Sequence, residues 1–271
     1  ILASGALCVP LNPLLSGAEL EHHLQDSGAT MLFAWEGTRL AAEAHQVPLV
    51  CDGTVHLEIL GGTSADPQSS LAPFGTDHPS ESELKLCPVS PADPALILYT
   101  SGTTGKPKGA TLTHANILSN AQSCAQVFGF TAEDIIFGGL PLFHAFGQTV
   151  TLNAACAAGS TIALLPRFTP EKAIKLIDQA DVTVLAAVPS MYAALIAALE
   201  ENPSNARQLK GRIRFGISGG SPLSASAHSA FDALISCPIY EGYGLSETSP
   251  VVSFNQAQFG HVTGSVGRVL P

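Results

Sequence analysis

An apolar run, Ala95 to Leu98, passes directly into Tyr99-Thr100-Ser101-Gly102-Thr103-Thr104-Gly105-Lys106-Pro107-Lys108-Gly109. The run reads as a buried strand, and the polar string after it reads as a loop. That loop gathers hydroxyls, glycines and two lysines. Such a loop can wrap a polyphosphate. The glycines let backbone N–H groups approach closely, the hydroxyls donate hydrogen bonds and the lysines balance charge. The whole chain has only 12 Lys and Arg residues, and two of them stand here.

The loop is neither of two common phosphate-binding patterns. A Walker A loop needs Gly, four residues, then Gly-Lys-Ser/Thr; here Lys106 is followed by Pro107, and Thr100 stands where the first glycine belongs. The Gly-x-Gly-x-x-Gly spacing of a dinucleotide fold is also missing. The competing reading is a surface turn rich in Gly, Ser and Thr. Length and order argue against it. The string resembles the phosphate-binding loop of the adenylate-forming superfamily, which includes acyl-CoA synthetases, luciferases and peptide-synthetase adenylation domains.

Other segments carry the same resemblance. Tyr240-Glu241-Gly242-Tyr243-Gly244-Leu245-Ser246-Glu247-Thr248 puts an aromatic ring, a hydroxyl and a carboxylate close together. A ring can stack on a base, a hydroxyl can bond phosphate, and carboxylate oxygen suits Mg²⁺. In isolation the segment also fits a hairpin tip with a capping Ser-x-Thr. The resemblance implies Tyr243 beside adenine, Ser246 at the α-phosphate, and Glu247, with Thr100, at the metal. Ser218-Gly219-Gly220-Ser221-Pro222-Leu223 resembles the lining of the adenine pocket, though strand–turn–helix junctions often read this way. His144, in Leu140-Pro141-Leu142-Phe143-His144-Ala145-Phe146-Gly147, matches a histidine near the acyl carboxylate and α-phosphate. Its implied role is orientation and charge stabilisation, because a carboxylate nucleophile is already ionised at neutral pH and needs no base.

The resemblance thus implies a catalytic set of Lys106, His144 and Glu247. It implies nucleotide contacts from Thr100, Ser101, Gly102, Thr103, Thr104, Gly105, Lys108, Gly219, Gly220, Ser221, Gly242, Tyr243, Gly244, Ser246 and Thr248. Val188, Met191 and Tyr192 match a segment that lines the acyl tunnel, and fit an amphipathic core helix equally well. Gly264-Ser265-Val266-Gly267-Arg268 matches a further family motif and reads as structural.

Composition suits a soluble enzyme of the cytoplasm. The chain has 271 residues, 46% hydrophobic and 13% charged, enough for a large core. A net charge of −10 makes nucleic acid and anionic membrane surfaces poor partners. Anionic ligands must then meet local positive sites, which adds weight to Lys106 and Lys108. Cysteines at 8, 51, 87, 124, 156 and 237 form no C-x-x-C pair and no metal-ligand spacing, and read as reduced, buried thiols. The stretch 135–166 carries no Asp, Glu, Lys or Arg, but Pro141, His144, Gln148, Asn153 and several glycines interrupt it. It reads as a buried strand–helix–strand core, with no transmembrane segment.

Apolar strands alternate with helical patterns along the chain. Helices are expected over 17–26, 38–44, 113–127, 190–199 and 224–235, and a further one starts at Thr169-Pro170-Glu171. Strands are expected over 30–34, 48–51, 95–98, 161–165, 182–187, 213–217 and 238–240. Thr113, Thr169 and Ser224 read as helix caps, with Pro170 and Glu171 favouring a helix start. The fold class is α/β, with two lobes of mostly parallel sheets flanked by helices, as in the large N-terminal domain of acyl-CoA synthetases. Sublobes fall at about 1–75 and 91–271, with a Ser-, Pro- and acid-rich linker near 61–94. The chain opens at Ile1 rather than Met and stops after Gly267-Arg268. It reads as part of the large domain, without the small C-terminal domain that carries the family's adenylation lysine.

The function this implies is ATP-dependent activation of a carboxylic acid through an acyl-adenylate, then transfer to coenzyme A. ATP or AMP and Mg²⁺ are the expected ligands, and a fatty acid is the expected substrate. Two other readings stand beside it. One is an aryl-acid or carrier-protein-loading adenylation enzyme. The other is a nucleotide-binding fragment without turnover.

Overall fold

The computed structural model describes residues 1–33, the backbone of 58–59, and residues 86–100 and 105–271. The expected helix 38–44 and strand 48–51, most of the 61–94 linker and Ser101–Thr104 lie outside the described residues. The chain divides into two compact units, Ile1–Thr111 and Leu112–Pro271.

The first unit contains helix α1, Gly17–Ser27. Ser16 caps it: the Glu19 N–H donates to Ser16 Oγ at 3.4 Å, and Glu19 Oε2 accepts from the Ser16 N–H at 2.8 Å. That reciprocal pair satisfies donors that a helix start leaves open. Strands β1, Met31–Leu32, and β2, Glu58–Ile59, pair antiparallel. Strand β3, Pro94–Thr100, has Ala95 to Leu98 buried, as expected of an apolar run. It joins β4, Lys108–Thr113, in a two-stranded sheet. The Cys8 carbonyl accepts from the Ile97 N–H at 2.9 Å, adding a short parallel contact on the other edge of β3.

The second unit is a wound α/β layer. Helix α2, His114–Phe128, starts at Thr113, whose Oγ1 accepts from the Asn116 N–H at 3.2 Å. Strand β5, Ile135–Gly138, leads through a turn at Pro141–His144 to a wide helical turn, Gly147–Asn153, that continues as α3, Ala154–Ala158. Then come β6, Thr161–Leu164; α4, Pro170–Gln179; β7, Val184–Ala187; α5, Pro189–Glu201; α6, Pro203–Leu209; β8, Phe215–Ser218; and α7, Ala225–Ile235. Strands β9, Ile239–Gly244, β10, Val251–Phe254, and β11, Arg268–Val269, close the series.

The sheet order is β11-β10-β9-β8-β7-β5-β6. The strands from β6 to β9 run parallel, and β10 and β11 are antiparallel to their neighbours. All four residues of β7 and all four of β8 are buried. Parallel strands covered by helices on both faces read as continuous apolar runs for this reason. Tyr192 of α5 is fully buried, and its hydroxyl donates to the Leu185 carbonyl at 2.8 Å, so the core carries this polar atom without leaving it unpaired. The mostly parallel sheet with flanking helices is the fold class that the strand–helix alternation predicts.

β6 lies on one side of β5 and β7 on the other, so the winding reverses beside β5. In open α/β sheets the crevice at the carboxyl ends of the strands near such a reversal is where ligands sit. The loops that leave β5, β8 and β9 all open there.

The thiols depart from expectation in one respect. Cys124 and Cys237 are buried, but Cys87 and Cys156 are exposed; all the described cysteines are free. Cys51 lies outside the described residues. Both exposed thiols sit at the edges of irregular or short elements, where core periodicity gives no signal.

Candidate functional site

Three loops at the carboxyl edge of the sheet form one open cleft. The loop after β5 supplies His144, Ala145 and Phe146. The end of β8 and the turn after it supply Ile217, Ser218, Gly219 and Gly220. Strand β9 and the turn after it supply Gly242, Tyr243, Gly244, Leu245 and Ser246. Phe128, Val150 and Phe254 complete an apolar wall. Segments far apart in sequence, at His144 and Ser218, thus meet because their strands are near neighbours in one parallel sheet.

His144 reaches its place through a turn in which its own N–H donates to the Pro141 carbonyl at 3.1 Å. Its Nδ1 accepts from the Phe146 N–H at 3.2 Å. An accepting Nδ1 carries no proton, so in the neutral ring Nε2 holds the hydrogen and is the available donor. Partial burial lowers the imidazole below its ordinary value of 6.5, which favours that neutral form.

The post-β8 turn needs its glycines. Gly220 has φ +83°, a left-handed conformation costly for other residues, and a side chain on Gly219 would press on the Phe146 ring at 3.3 Å. Ser221 is exposed beside them. Ser218 is buried, and its Oγ has no hydrogen-bond partner among the described residues.

Strand β9 carries the aromatic part of the motif to Gly244, and the rest forms the tip of the antiparallel hairpin that returns as β10. Tyr243 is 48% exposed, which leaves its ring face accessible for stacking. Ser246, Glu247 and Thr248 form a single turn of 3₁₀ helix. The Thr248 hydroxyl donates to the Pro250 carbonyl at 2.7 Å and so closes that turn. Glu247 is exposed, a hard oxygen donor suited to a divalent cation. Among the described residues no group of three or more His, Cys, Asp or Glu side chains is arranged to hold a metal.

Glu241 is a member of this strand that motif reading passes over. It is 6% exposed, and its carboxylate accepts from the Leu223 N–H at 3.1 Å and the Gly264 N–H at 3.4 Å. Its backbone carbonyl accepts from the Asn255 N–H at 2.9 Å. One side chain thus fastens the post-β8 turn and the 264–267 loop to β9. The signal was available: Ile239 and Glu241 alternate onto one face of the strand, and an acid on a buried face needs partners.

The glycine-rich loop belongs to the first unit. Thr100 ends β3, Gly105 has φ +95°, and Lys108 opens β4. Lys106 and Lys108 are both exposed, with no hydrogen-bond or ion-pair partner among the described residues. Val188, Met191 and Tyr192 do not line the cleft. Val188 precedes α5 and faces Gly220, while Met191 and Tyr192 are buried in the core. No helix among the described residues is long and apolar enough to cross a membrane.

Comparison with known proteins agrees with this geometry. The family of AMP-binding enzymes matches residues 1–271. The long-chain-fatty-acid–CoA ligase of Bacillus subtilis (strain 168) is 28% identical over 301 residues, spanning 100% of this chain and 52% of the relative. The 4-coumarate–CoA ligase 2 of Oryza sativa subsp. japonica is 31% identical over 285 residues, spanning 98% of this chain and 49% of the relative. Among solved structures, a malonyl-CoA ligase in a ternary product complex with methylmalonyl-CoA and AMP bound superposes with a TM-score of 0.79 at 29% identity, covering 100% of this chain and 53% of that one. The chain spans about half the length of the curated relatives it matches. With a family match along its whole length and a fold shared with a solved ligase, this chain belongs to the AMP-binding enzymes of the adenylate-forming superfamily.

Proposed function

We propose that the protein of which this chain is part activates a carboxylic acid with ATP and passes the acyl group to coenzyme A. The observation that carries this reading is the convergence of His144, the Gly219–Gly220 turn, Tyr243 and Ser246 on one cleft at the carboxyl edge of a parallel sheet. In the first step an acid oxygen attacks the α-phosphorus of ATP, the bond to the β-phosphate oxygen breaks, and pyrophosphate leaves. In the second, the coenzyme A sulfur attacks the acyl carbon and AMP leaves. The first step needs alignment and charge balance more than proton transfer, since both partners are anions.

The chain's own residues supply those needs. Tyr243 offers its exposed ring to adenine, and the Gly219–Gly220 backbone bounds the base on another side. Ser246 donates to the α-phosphate. Neutral His144 donates from Nε2 toward the carboxylate or the α-phosphate, which orients the nucleophile without placing a second cation there. Lys106 and Lys108, with the hydroxyls and N–H groups of Thr100 to Gly105, balance the polyphosphate. Glu247, with Thr100, would hold Mg²⁺, which would offset charge on the phosphate oxygens.

The acid is a fatty acid in the first reading, in keeping with the Bacillus relative's name. A second reading, an aryl acid, is favoured by two features. Met191 and Tyr192 are sealed in the core rather than open to the cleft, and Phe128, Phe146 and Phe254 make the cleft wall aromatic. The reading places the reaction in the cytoplasm, in keeping with free thiols throughout the described residues. The test is mass-spectrometric detection of acyl-CoA from the full-length protein with ATP, Mg²⁺, coenzyme A and a panel of fatty, aryl and short dicarboxylic acids. Thioester from one class names the substrate. Absence of thioester from every class, with AMP and pyrophosphate also absent, would overturn the proposal.

A further inference from the structure

We infer that helix α1 positions the glycine-rich loop, with His22 and Asp26 acting as positioning residues for its two flanks. This rests on the nucleotide role proposed above for Lys106 and Lys108. The two side chains stand four residues apart, one turn of helix, and so point along the same face of α1. Asp26 Oδ2 accepts from the Tyr99 hydroxyl at 2.7 Å, immediately before the loop. His22 Nε2 lies 3.0 Å from the Pro107 carbonyl, immediately after Lys106. A carbonyl only accepts, so His22 carries its hydrogen on Nε2 in this contact.

The Tyr99 anchor has further support. Its ring packs edge-on against His23, with centroids 4.1 Å apart at 80°, and its hydroxyl also lies 3.3 Å from the His23 carbonyl. His23 is itself 3% exposed, so the helix face that receives Tyr99 is part of the packed interior. Burial, and then the Asp26 carboxylate, push the phenol up to about 12, which keeps it protonated as a donor. Pro107 cannot donate from its own nitrogen, so its carbonyl is its one strong backbone handle, and His22 takes it. The chain thus leaves β3 and returns into β4 through two residues tied to adjacent turns of one helix. Flanks already held in place leave less ordering to be done when a polyphosphate binds beside Lys106 and Lys108. Lys106 and Lys108 flank the Pro107 tie and gain from it directly.

The test uses the full-length protein with His22→Ala and Asp26→Ala, read in two ways. Trypsin cleaves after Lys108, while Pro107 blocks cleavage after Lys106, so the rate of cutting at Lys108–Gly109 reports the freedom of the segment. ATP-dependent acyl-CoA formation separates the KM for ATP from that for the acid. Both variants should cut faster, and should raise the KM for ATP roughly five- to tenfold, the effect of losing one ordinary hydrogen bond, with the KM for the acid unchanged. His22→Gln, which keeps a donor for the Pro107 carbonyl, should restore both values. Wild-type cutting rates together with a wild-type KM for ATP in both alanine variants would overturn the inference, as would equal rises in both KM values. Should either alanine variant lose its circular dichroism, Tyr99→Phe, which keeps the ring and removes only the hydroxyl, decides by the same readouts. If the wild-type protein makes no acyl-CoA at all, the functional reading falls, and the tryptic rates still decide the role of α1.

Discussion

Glu241 on β9 accepts the backbone N–H of Leu223 at 3.1 Å, and this one contact joins the strand that carries Tyr243 to the turn that carries Gly219–Ser221. The acid is buried between two loops and has backbone donors on both sides. Removing it leaves the Leu223 and Gly264 N–H groups without acceptors. Glu241→Ala should therefore destabilise the protein by about 2–4 kcal/mol, the cost of two stranded donors. Glu241→Gln keeps one acceptor and should cost about half as much. Thermal unfolding monitored by circular dichroism checks the order of the three proteins. Equal melting temperatures would show that the carboxylate fastens nothing.

Asp134 gives a prediction with a definite pH sign. Burial pushes its carboxyl up, but hydrogen bonds from Arg214 and Thr183 and from the Thr131 N–H outweigh that and hold it below its ordinary 3.8. A carboxyl with a lowered folded pKa adds stability that is fully present above 3.8 and fades as pH falls through the folded value. Asp134→Asn should flatten the acid limb of a stability–pH curve below about 4. At neutral pH it should cost on the order of 2–3 kcal/mol, less than a fully enclosed ion pair because Arg214 is 45% exposed. Chemical denaturation between pH 3 and 7 reads both effects.

His144 should titrate below 6.5, because burial disfavours its charged form. Protonation would also place a hydrogen on Nδ1, which accepts from the Phe146 N–H in the folded state. The unfolded chain takes up the proton more readily, so stability from this site is complete above 6.5 and is lost as pH falls below it. Chemical shifts of the ring protons should report a midpoint below 6.5, and His144→Ala should lower the rate of adenylate formation without removing nucleotide binding. A midpoint above 6.5 would mean that a negative group, rather than burial, governs the ring.

Lys106→Ala and Lys108→Ala should each weaken ATP binding by about 1.5–3 kcal/mol, the usual strength of a charge-assisted contact. AMP, with fewer phosphates, should lose less. Calorimetric titration of both nucleotides checks the ratio. Glu247→Gln should act differently, leaving nucleotide affinity in the absence of Mg²⁺ near that of the parent and removing the gain that Mg²⁺ gives.

Much of this fold is written in short sequence signals. Thr113, Thr169 and Ser224 each cap a helix through a side-chain oxygen, and each was legible because a hydroxyl stands just before an apolar helical pattern. The buried β7 and β8 were legible as mainly apolar stretches, broken only by Thr183 and Arg214 just before each strand. Helix α6, Pro203–Leu209, was not, because seven mainly polar residues with no capping side chain show no amphipathic period. Strand β4 was hidden by the glycine and lysine composition of the loop that runs into it. Strand β9 extends to Gly244, past the expected Tyr240, since two glycines with low strand propensity are held there by pairing with β10.

The site divides in the same way. Tyr243, Ser246, His144 and the Gly219–Gly220 turn stand in local motifs, so their part in a shared cleft could be expected before any fold was known. Phe128, Val150 and Phe254 line the same cleft only because the winding of the sheet brings their elements together. No local pattern marks them. Glu241 lies between these cases: it sits inside a recognisable motif, yet its importance comes from Leu223 and Gly264, which the sheet topology delivers to it.

In the proposed reaction the cleft at the carboxyl edge of this sheet supports attack of a carboxylate on the α-phosphorus of ATP. The most direct measurement is exchange of labelled pyrophosphate into ATP by the full-length protein, with Mg²⁺ and without coenzyme A, in the presence and absence of the acid that gives the best thioester yield. Exchange should require the acid and fall sharply in Lys106→Ala and Glu247→Gln. Acid-independent exchange, or release of ADP and phosphate in place of AMP and pyrophosphate, would contradict it.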